Sequence, residues 1–453
     1  MSIGEGKTAE FPVIERRDYS SHAMARRIYE ENRIANIKGS LCIYKKEYNY
    51  WECLKSGNYD RKIRRLLPEE YKPRCNRSCI NEIINWLDTW AEAEPIIIDE
   101  AERNCYLNFR NGCINVVTKE RKKKTPEYYF MHYIDIDIPP EDASWSNEEI
   151  ENAAYTQFIK RTFSGKYEYL RDDFEELLGL ILSNQRSLKL ASIFRGCPNS
   201  GKSVALNLFR SLFDKKFVSS ISFSQFSEEF AVANLEGKAL NISGEISGIR
   251  EKRIDLFNSI VGNDTVMACF KGKDHFELNN RAFLAFACNE LPVIPPEFVE
   301  AFSTRIVIFP FVNSIPREEW DPELNSKFMN EFELIGAMGI MGLARFILNG
   351  NRFTHQETLD AIKEKLLFNL NSFKAFADKR IVVDRKGFVS SSDLEMAYKE
   401  FCDEYDLNMY PSQKWSTYLR EMYMEIQKTT KKDKDGKQKR GYQGIRLLPW
   451  NDD

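Results

Sequence analysis

The sequence predicts a multidomain α/β protein. The chain has 453 residues, of which 43% are hydrophobic and 13% aromatic, so it can form roughly two to four domains with sizeable cores. A glycine-bounded loop at residues 196–203 follows an apolar segment typical of a buried strand and precedes an apolar segment typical of a helix. Two further predicted helices and a basic hairpin lie near the end of the chain.

The composition gives a slightly acidic average surface. The net charge is −3 and the pI about 6.1, so binding to nucleic acid would depend on local basic patches. The N-terminal residues lack the apolar segment of a secretory signal, and the longest apolar run, residues 335–348, is too short to span a bilayer. The ten cysteines are scattered, and Cys75 and Cys79 lack the spacing of zinc ligands. We therefore expect a cytoplasmic protein with free thiols and no membrane partner.

Residues 1–145 are predicted to form an N-terminal α+β domain. Weak alternation over residues 37–50 indicates strands, residues 81–91 are typical of an amphipathic helix, and residues 110–112 indicate a hairpin turn. The basic run at residues 120–124 indicates a solvated turn, with phosphate contact as the alternative. We find no catalytic constellation in this region.

Residues 146–350 are predicted to form the central domain. Two helices, over residues 147–163 after a candidate cap at Ser146 and over residues 167–182, would form a collar. The predicted division is a collar at 146–187, a core at 188–315, trailing helices at 316–350, a helical linker at 351–372 and a C-terminal domain at 373–453.

The glycine-bounded loop matches the pattern G-x-x-x-x-G-K-S, which binds the phosphates of a nucleoside triphosphate. Glycines allow backbone N–H groups to surround phosphate oxygens, and the following helix directs its positive end at the same anion. Lys202 would reach the β- and γ-phosphates, and the Ser203 hydroxyl would hold Mg²⁺. The predicted binding residues are Gly196, Cys197, Pro198, Asn199, Ser200, Gly201, Lys202, Ser203 and Val204.

Three polar residues flank later predicted strands. Glu245 ends the strand at residues 238–245, where an acid can contact Mg²⁺ and polarise the attacking water; the alternative is a surface glutamate. Asn289 follows the apolar strand at residues 281–288 and can bind the terminal phosphate or its water; the alternative is a turn cap. Arg305 precedes an apolar strand and can reach a phosphate across a subunit interface; the alternative is an ordinary strand-start arginine.

Residues 267–278 are predicted to form a β-hairpin, which we call the basic hairpin. Its tip carries Lys271 and Lys273 around Gly272, and His275 follows. Lysines at a turn can contact phosphates, although the same sequence is also typical of a solvated turn.

The C-terminal domain has the pattern of a winged helix. A helix after Ser391 is followed by a second one at residues 413–422, which carries Lys414, Trp415 and Arg420 and would enter the major groove. Residues 424–448 would form the wing, in which Lys437, Lys439 and Arg440 would contact phosphates. The alternative is a winged helix that binds protein and has a solvated wing.

The order of these parts resembles that of superfamily-3 helicases, the AAA+-type hexameric replicative helicases of DNA viruses, phages and mobile elements. Within the poxvirus- and phage-type primase–helicase branch, the sequence is most similar to the replication-initiator (Rep) helicases of staphylococcal pathogenicity islands. The residues that carry the resemblance are 106–112, 196–203, 240–245, 261–264 and 287–292.

The resemblance implies an AAA+-type P-loop ATPase core with a preceding helical collar, an N-terminal α+β domain and a C-terminal winged helix. It implies that Glu245 is the Walker-B acid, Asn289 the phosphate sensor, and Arg305 an arginine finger acting on a neighbouring subunit. Lys271, Lys273 and His275 would line a central pore and contact DNA.

The sequence departs from the family pattern at two places. Many relatives carry two adjacent acids at the Walker-B position, whereas Gly244 precedes Glu245 here. The Gly-Gly-Asp common before the hairpin is Gly262-Asn263-Asp264. The first 145 residues show no metal-binding acidic pair typical of a primase, so we do not expect primase activity.

The sequence thus predicts an ATP- and Mg²⁺-dependent DNA helicase that initiates replication of a mobile element or phage-like replicon. Its expected partners are origin duplex, a single strand in the pore, further copies in a hexameric ring, and a loader or inhibitor encoded by the phage or element. One alternative is a remodelling or transcription-regulatory ATPase without unwinding activity. A second alternative is a binding protein with a degenerate ATPase site.

Overall fold

The structure is a computed structural model that describes residues 19–37, 39–54, 59–92, 99–123, 125–183, 185–244, 254–272, 275–292, 294, 296–370, 372–405, 407, 409–423, 426–432 and 436–449. The chain divides into two compact units, residues 1–98 with 125–130 and residues 99–124 with 131–453.

The first unit is α+β. It contains α1 (Ser21–Glu31), β1 (Ile34–Ile37), β2 (Ser40–Lys45), β3 (Tyr50–Cys53), α2 (Tyr59–Leu66) and α3 (Arg77–Trp90). The strands form an antiparallel sheet in sequence order, and both α1 and α3 contribute to one buried apolar core. The Ser20 and Asn76 side chains cap these two helices by accepting hydrogen bonds from Ala23 N and Cys79 N. The predicted strands and the predicted helix of this region are confirmed.

The second unit begins earlier than the predicted domain boundary at residue 145. It opens with α4 (Glu100–Asn104), β4 (Tyr106–Phe109), β5 (Gly112–Asn115) and β6 (Arg121–Lys122), and the predicted turn joins β4 to β5. Phe109 pairs with Ile134, and Asp135 N donates a 2.8 Å hydrogen bond to Leu212 O. These backbone contacts place residues 99–124 and 131–145 with the central region, whereas the sequence placed them in the N-terminal domain.

The collar contains three helices where two were predicted. They are α5 (Asn147–Asn152), α6 (Ala154–Thr162) and α7 (Leu170–Leu182). Ser146 and Glu149 form the predicted cap of α5. Ala153 is not helical, and α6 begins directly after it, where the Glu331 carboxylate accepts hydrogen bonds from Ala154 N and Tyr155 N at 2.7 and 2.9 Å.

A five-stranded parallel sheet forms the centre of the second unit. Its strands are β7 (Ala191–Gly196), β8 (Val218–Ser219), β9 (Leu240–Ser243), β12 (Phe283–Cys288) and β13 (Ile306–Phe311). The elements that connect these strands are α8 (Lys202–Ser211), α9 (Glu229–Val232), α10 (Ile254–Val261), β10 (Val266–Cys269), β11 (His275–Leu278) and α11 (Pro296–Ser303). The strand order is β13-β7-β12-β9-β8. β12 therefore lies between the strand of the glycine-bounded loop and β9. α9 has only four residues and lies between two short 3₁₀ helices.

Both faces of the central sheet are covered. One face carries apolar side chains that pack with those of α10 and α11. On the other face, Phe174 of α7 and Phe209 of α8 stack with a centroid distance of 5.6 Å, next to Phe194 of β7. β12 and β13 are buried along their whole lengths, as expected for parallel strands with both faces covered.

The helices after the sheet are α12 (Leu324–Asn330), α13 (Phe332–Leu348) and α14 (Gln356–Leu370). The apolar run at residues 335–348 belongs to α13, which packs against α7. A Cβ on Gly342 would stand 2.1 Å from the carbonyl oxygen of Glu175. Among the described residues, no helix is long and apolar enough to cross a membrane. The predicted linker is the helix α14, and Leu366 and Leu367 pack against the core of the central sheet.

The C-terminal elements are α15 (Ser372–Arg380), β14 (Ile381–Ser390), α16 (Ser391–Glu404), α17 (Ser412–Met422), β15 (Gln427–Lys432) and β16 (Gln438–Leu447). The three strands form an antiparallel sheet in the order β14-β16-β15. The sequence predicted the two helices and the two wing strands but missed β14. Trp415 is 2% exposed and stacks on Phe373, so its predicted role in the major groove is wrong.

Candidate nucleotide-binding site

The glycine-bounded loop joins β7, an interior strand of the central sheet, to α8. Asn199 has φ 60° and Gly201 has φ 88°, so the chain turns sharply before α8 begins at Lys202. A Cβ on Gly201 would also stand 2.9 Å from Cε2 of Phe158. The buried Ser200 hydroxyl donates a 2.8 Å hydrogen bond to the carbonyl oxygen of Cys197. The loop is therefore held in a curled conformation by its own contacts.

The Lys202 ammonium lies inside the curve of the loop. Its Nζ donates hydrogen bonds to the carbonyl oxygens of Cys197 at 2.5 Å and Gly196 at 3.0 Å. Burial lowers the pKa of Lys202. Ser203, in the first turn of α8, is exposed. A phosphate bound here would meet a cation and the positive end of α8 together.

Asn289 lies at the same edge of the sheet as the loop. β12 is parallel to β7, and Cys288 pairs with Arg195, the residue before Gly196. Asn289 follows directly and is exposed, so the structure brings this predicted residue next to the loop. β9 ends at Ser243, opposite Phe286, and also points its carboxyl end to this edge. Glu245 lies outside the described residues.

Arg305 lies at the other end of the strands, where the strands of the sheet begin. It precedes β13, whose first residue pairs with Ala191, the first residue of β7. Six residues of strand, about 20 Å, therefore separate Arg305 from the loop of its own chain. Its guanidinium donates hydrogen bonds to the carbonyl oxygens of Asn258 at 3.0 Å and Ala301 at 2.7 Å, which joins α10 to α11.

A cleft of about 1270 Å³ opens beside the loop, on the side of α6 and α12. Its lining includes Phe158 and Arg161 of α6 and Trp320, which is 50% exposed, as well as Lys202 and Ser203. The volume exceeds the roughly 300–1,000 Å³ of ordinary ligand pockets, so the cleft is large enough for a nucleoside triphosphate. The sequence could not identify this wall, because its residues come from segments that lie far apart along the chain.

The described residues contain no group of three or more histidine, cysteine, aspartate or glutamate side chains that could hold a metal ion. Cys75 and Cys79 have sulfurs 3.3 Å apart, and both are free thiols. Of the predicted Mg²⁺ ligands, only Ser203 lies within the described part of the chain.

The basic hairpin consists of β10 and β11, in which Cys269 pairs with His275. Lys271 is exposed at the tip, Gly272 has φ 75°, and Lys273 lies outside the described residues. His275 Nε2 is 3.6 Å from the Glu229 carboxylate of α9. The next residue of α9, Phe230, is 56% exposed, although no sequence motif marks it as a functional residue.

The predicted C-terminal contacts lie on two elements. Arg420 is exposed on α17, and the side chain of Lys414 lies outside the described residues. In the wing, Lys431 pairs with Lys439 and Thr430 with Arg440, while Lys437 is exposed just before β16.

Comparisons with known proteins give a helicase-like relationship at low identity. The model of a "Family of unknown function (DUF5906)" matches residues 194–305, from the strand before the loop to Arg305. "Putative helicase 121R" of Invertebrate iridescent virus 3 is 24% identical over 269 residues, which cover 54% of this chain and 28% of that protein. The chain thus spans only about a quarter of the length of this curated relative.

Two solved structures are similar in part. The apo structure of the NrS-1 C-terminal region covers 69% of this chain and 80% of its own, with 16% identity and a TM-score of 0.43. The A form of the same region covers 95% of this chain and 100% of its own, with 12% identity and a TM-score of 0.45.

Proposed function

We propose that this chain is an ATP-dependent DNA helicase that initiates replication of a phage-like or mobile replicon. The observation that carries the proposal is the curled loop at the centre of a parallel sheet, with the Lys202 ammonium held inside it. The similarity to a protein named as a putative helicase supports a nucleic-acid substrate.

The residues of the loop suit ATP with Mg²⁺. Lys202 would hold the β- and γ-phosphates, the Ser203 hydroxyl would hold Mg²⁺, and Asn289 would orient the terminal phosphate or the attacking water. Glu245 would activate that water. When bound, ATP supplies the phosphoryl group whose transfer to water drives the motion.

A ring with ATP between subunits is supported by the position of Arg305. Because about 20 Å of strand separates it from its own loop, its guanidinium would act on a nucleotide held by a neighbouring chain. An ATP site shared between subunits is consistent with the ring implied by the family resemblance.

Two basic surfaces would contact DNA. Lys271, Lys273 and His275 would follow one strand in the pore, and the exposed ring of Phe230 offers a surface on which a base can stack. The C-terminal region would bind the origin duplex as a winged helix, with Lys414 and Arg420 in the groove and Lys437, Lys439 and Arg440 at phosphates.

The test is an unwinding assay on forks with 3′ or 5′ tails, with ATP hydrolysis measured with and without DNA. Wild-type protein should unwind a fork and hydrolyse ATP faster with DNA, and Lys202→Ala should do neither. Lys166→Ala, which changes an exposed lysine of the same unit, should behave as wild type. ATP hydrolysis without strand separation would instead support the remodelling or regulatory ATPase. The mass of the assembly with ATP tests the ring.

A further inference from the structure

Arg195 occupies an unusual position for a charged residue. It lies in β7, directly before Gly196, and pairs with Cys288 of β12 on one side and Pro310 of β13 on the other. Ile193, two residues earlier and hence on the same face of the strand, belongs to the apolar core of the central sheet. The arginine therefore stands where this core meets the edge of the sheet that carries the loop.

The Arg195 guanidinium has no anionic partner among the described residues. The residue as a whole is half-buried, but its Nε is fully buried and has no hydrogen-bond partner. A buried charged donor without an acceptor is costly, and native structures rarely keep one without a functional reason. An apolar side chain would fill the interior of a parallel strand at lower cost.

A second cation lies close to Arg195. Burial lowers the pKa of Lys202, and the positive charge of Arg195 lowers it further. The Cys288 thiol on the paired strand gives no compensating charge, because burial raises its pKa to about 12 and keeps it neutral. Two cations and a neutral thiol thus converge beside the loop, an arrangement that suits a ligand with several negative charges.

The position of Arg195 indicates which part of that ligand it meets. The cleft beside α6 is lined by Lys202 and Ser203, and neither Arg195 nor Asn289 is part of the lining. Arg195 lies instead at the end of β7, beside Cys288 of β12, the residue before Asn289. A nucleotide with its base in the cleft and its phosphates on the loop would extend its last phosphate toward Arg195 and Asn289.

We propose that Arg195 binds the terminal phosphate of a nucleoside triphosphate held by the loop of its own chain. The inference rests on the proposed nucleotide-binding function. It adds to the site a guanidinium in the same chain, distinct from Arg305, that would distinguish a triphosphate from a diphosphate.

The test compares the affinities of ADP and a non-hydrolysable ATP analogue, measured by titration of full-length protein. Arg195→Met should weaken binding of the analogue about tenfold or more, the usual effect of losing a charged hydrogen bond, and leave ADP binding within about twofold. Arg195→Lys should fall between wild type and Arg195→Met. Arg210→Met, which removes an exposed arginine of α8, should change neither affinity.

An equal loss of ADP and analogue binding, or no loss at all, would overturn the assignment of Arg195 and leave the proposed function intact. Wild-type protein that binds neither nucleotide would overturn both. If Arg195→Met does not fold, as judged by its thermal transition, the test uses Arg195→Lys and the ratio of its affinity for the ATP analogue to its affinity for ADP. A ratio equal to that of wild type would then overturn the assignment.

Discussion

A Cβ added to Gly196 would stand 1.8 Å from the carbonyl oxygen of Phe311. The two residues are partners in the pairing of β7 with β13, the strands that meet at one side of the loop. The sequence pattern assigns this glycine to phosphate binding. In the structure, the first requirement at this position is the close approach of a neighbouring strand.

Gly196→Ala should therefore destabilise the protein itself, whether or not nucleotide is present. The methyl group has to push β13 away from β7, and overpacking of this kind costs about 1–3 kcal/mol or more. The measurement is the thermal transition followed by circular dichroism. Gly244→Ala is the matched control, because an added Cβ there has no atom within 4 Å, and it should unfold as wild type does. Equal transitions for the two variants would show that β13 can move without cost.

The parts of the site that are adjacent in sequence could be predicted. The loop, the strand before it and the basic hairpin each depend on local patterns of glycine and apolar residues, and the structure has them where the sequence places them. Asn289 could be placed near the loop because parallel strands end at one edge of a sheet.

The parts that depend on strand order could not be predicted. Arg195 is recognisable only once β12 and β13 are known to flank β7. The wall of the cleft at Phe158 and Trp320 combines two segments that are about 160 residues apart in the sequence. Strand β14 was missed because the charged residues 384–386, where its register with β16 shifts, interrupt its apolar pattern. Local patterns carry no information about which distant segments become neighbours.

The basic hairpin should couple ATP hydrolysis to strand separation. Lys271→Ala combined with Lys273→Ala should abolish fork unwinding and leave basal ATP hydrolysis within about twofold, because the hairpin lies outside the nucleotide cleft. Glu277→Gln, which changes an exposed residue of β11 away from the lysine-bearing tip, should unwind DNA as wild type does. Normal unwinding by the double variant would remove the pore assignment.

The wing should contribute the salt dependence of duplex binding. Replacing Lys431, Lys439 and Arg440 by glutamine removes charges from paired positions of β15 and β16. Each lost phosphate contact lowers the slope of log affinity against log salt concentration by about 1, so the slope should fall by about 2–3. Lys379→Gln on α15 should leave the slope unchanged. An unaltered slope in the triple variant would favour a winged helix that binds protein.

Arg305 should act on the nucleotide of a neighbouring subunit. Arg305→Ala and Lys202→Ala should each lack ATP hydrolysis alone, whereas mixtures should recover part of it, since some interfaces then combine an intact loop with an intact arginine. Arg305→Ala also loses hydrogen bonds to Asn258 and Ala301, so its thermal transition has to be recorded. A folded variant that gives no recovery at any mixing ratio would assign Arg305 a purely structural role.

His132 should make the protein sensitive to mild acid. The ring is fully buried next to Phe213 and Phe217, and burial, with the charge of Arg186, lowers the pKa of His132 to about 3. Between the pKa of His132 in the folded protein and the ordinary histidine pKa near 6.5, the unfolded chain binds a proton that the folded chain does not. Its contribution to stability is therefore complete above about pH 6.5 and is lost as the pH falls, by at most about 1.4 kcal/mol per pH unit.

The check is the difference in melting temperature between about pH 7.5 and about pH 5.5 for wild type and His132→Phe. Phenylalanine keeps the contacts with Phe213 and Phe217 and does not titrate, so the variant should lose less stability on acidification. Burial raises the pKa of Asp173, Glu175 and Glu176. The contribution of these groups to the stability of the protein therefore changes in the opposite direction and is lost as the pH rises. They are present in both proteins and cancel in the comparison. The same acid-induced drop in both proteins would show that His132 is not the group responsible.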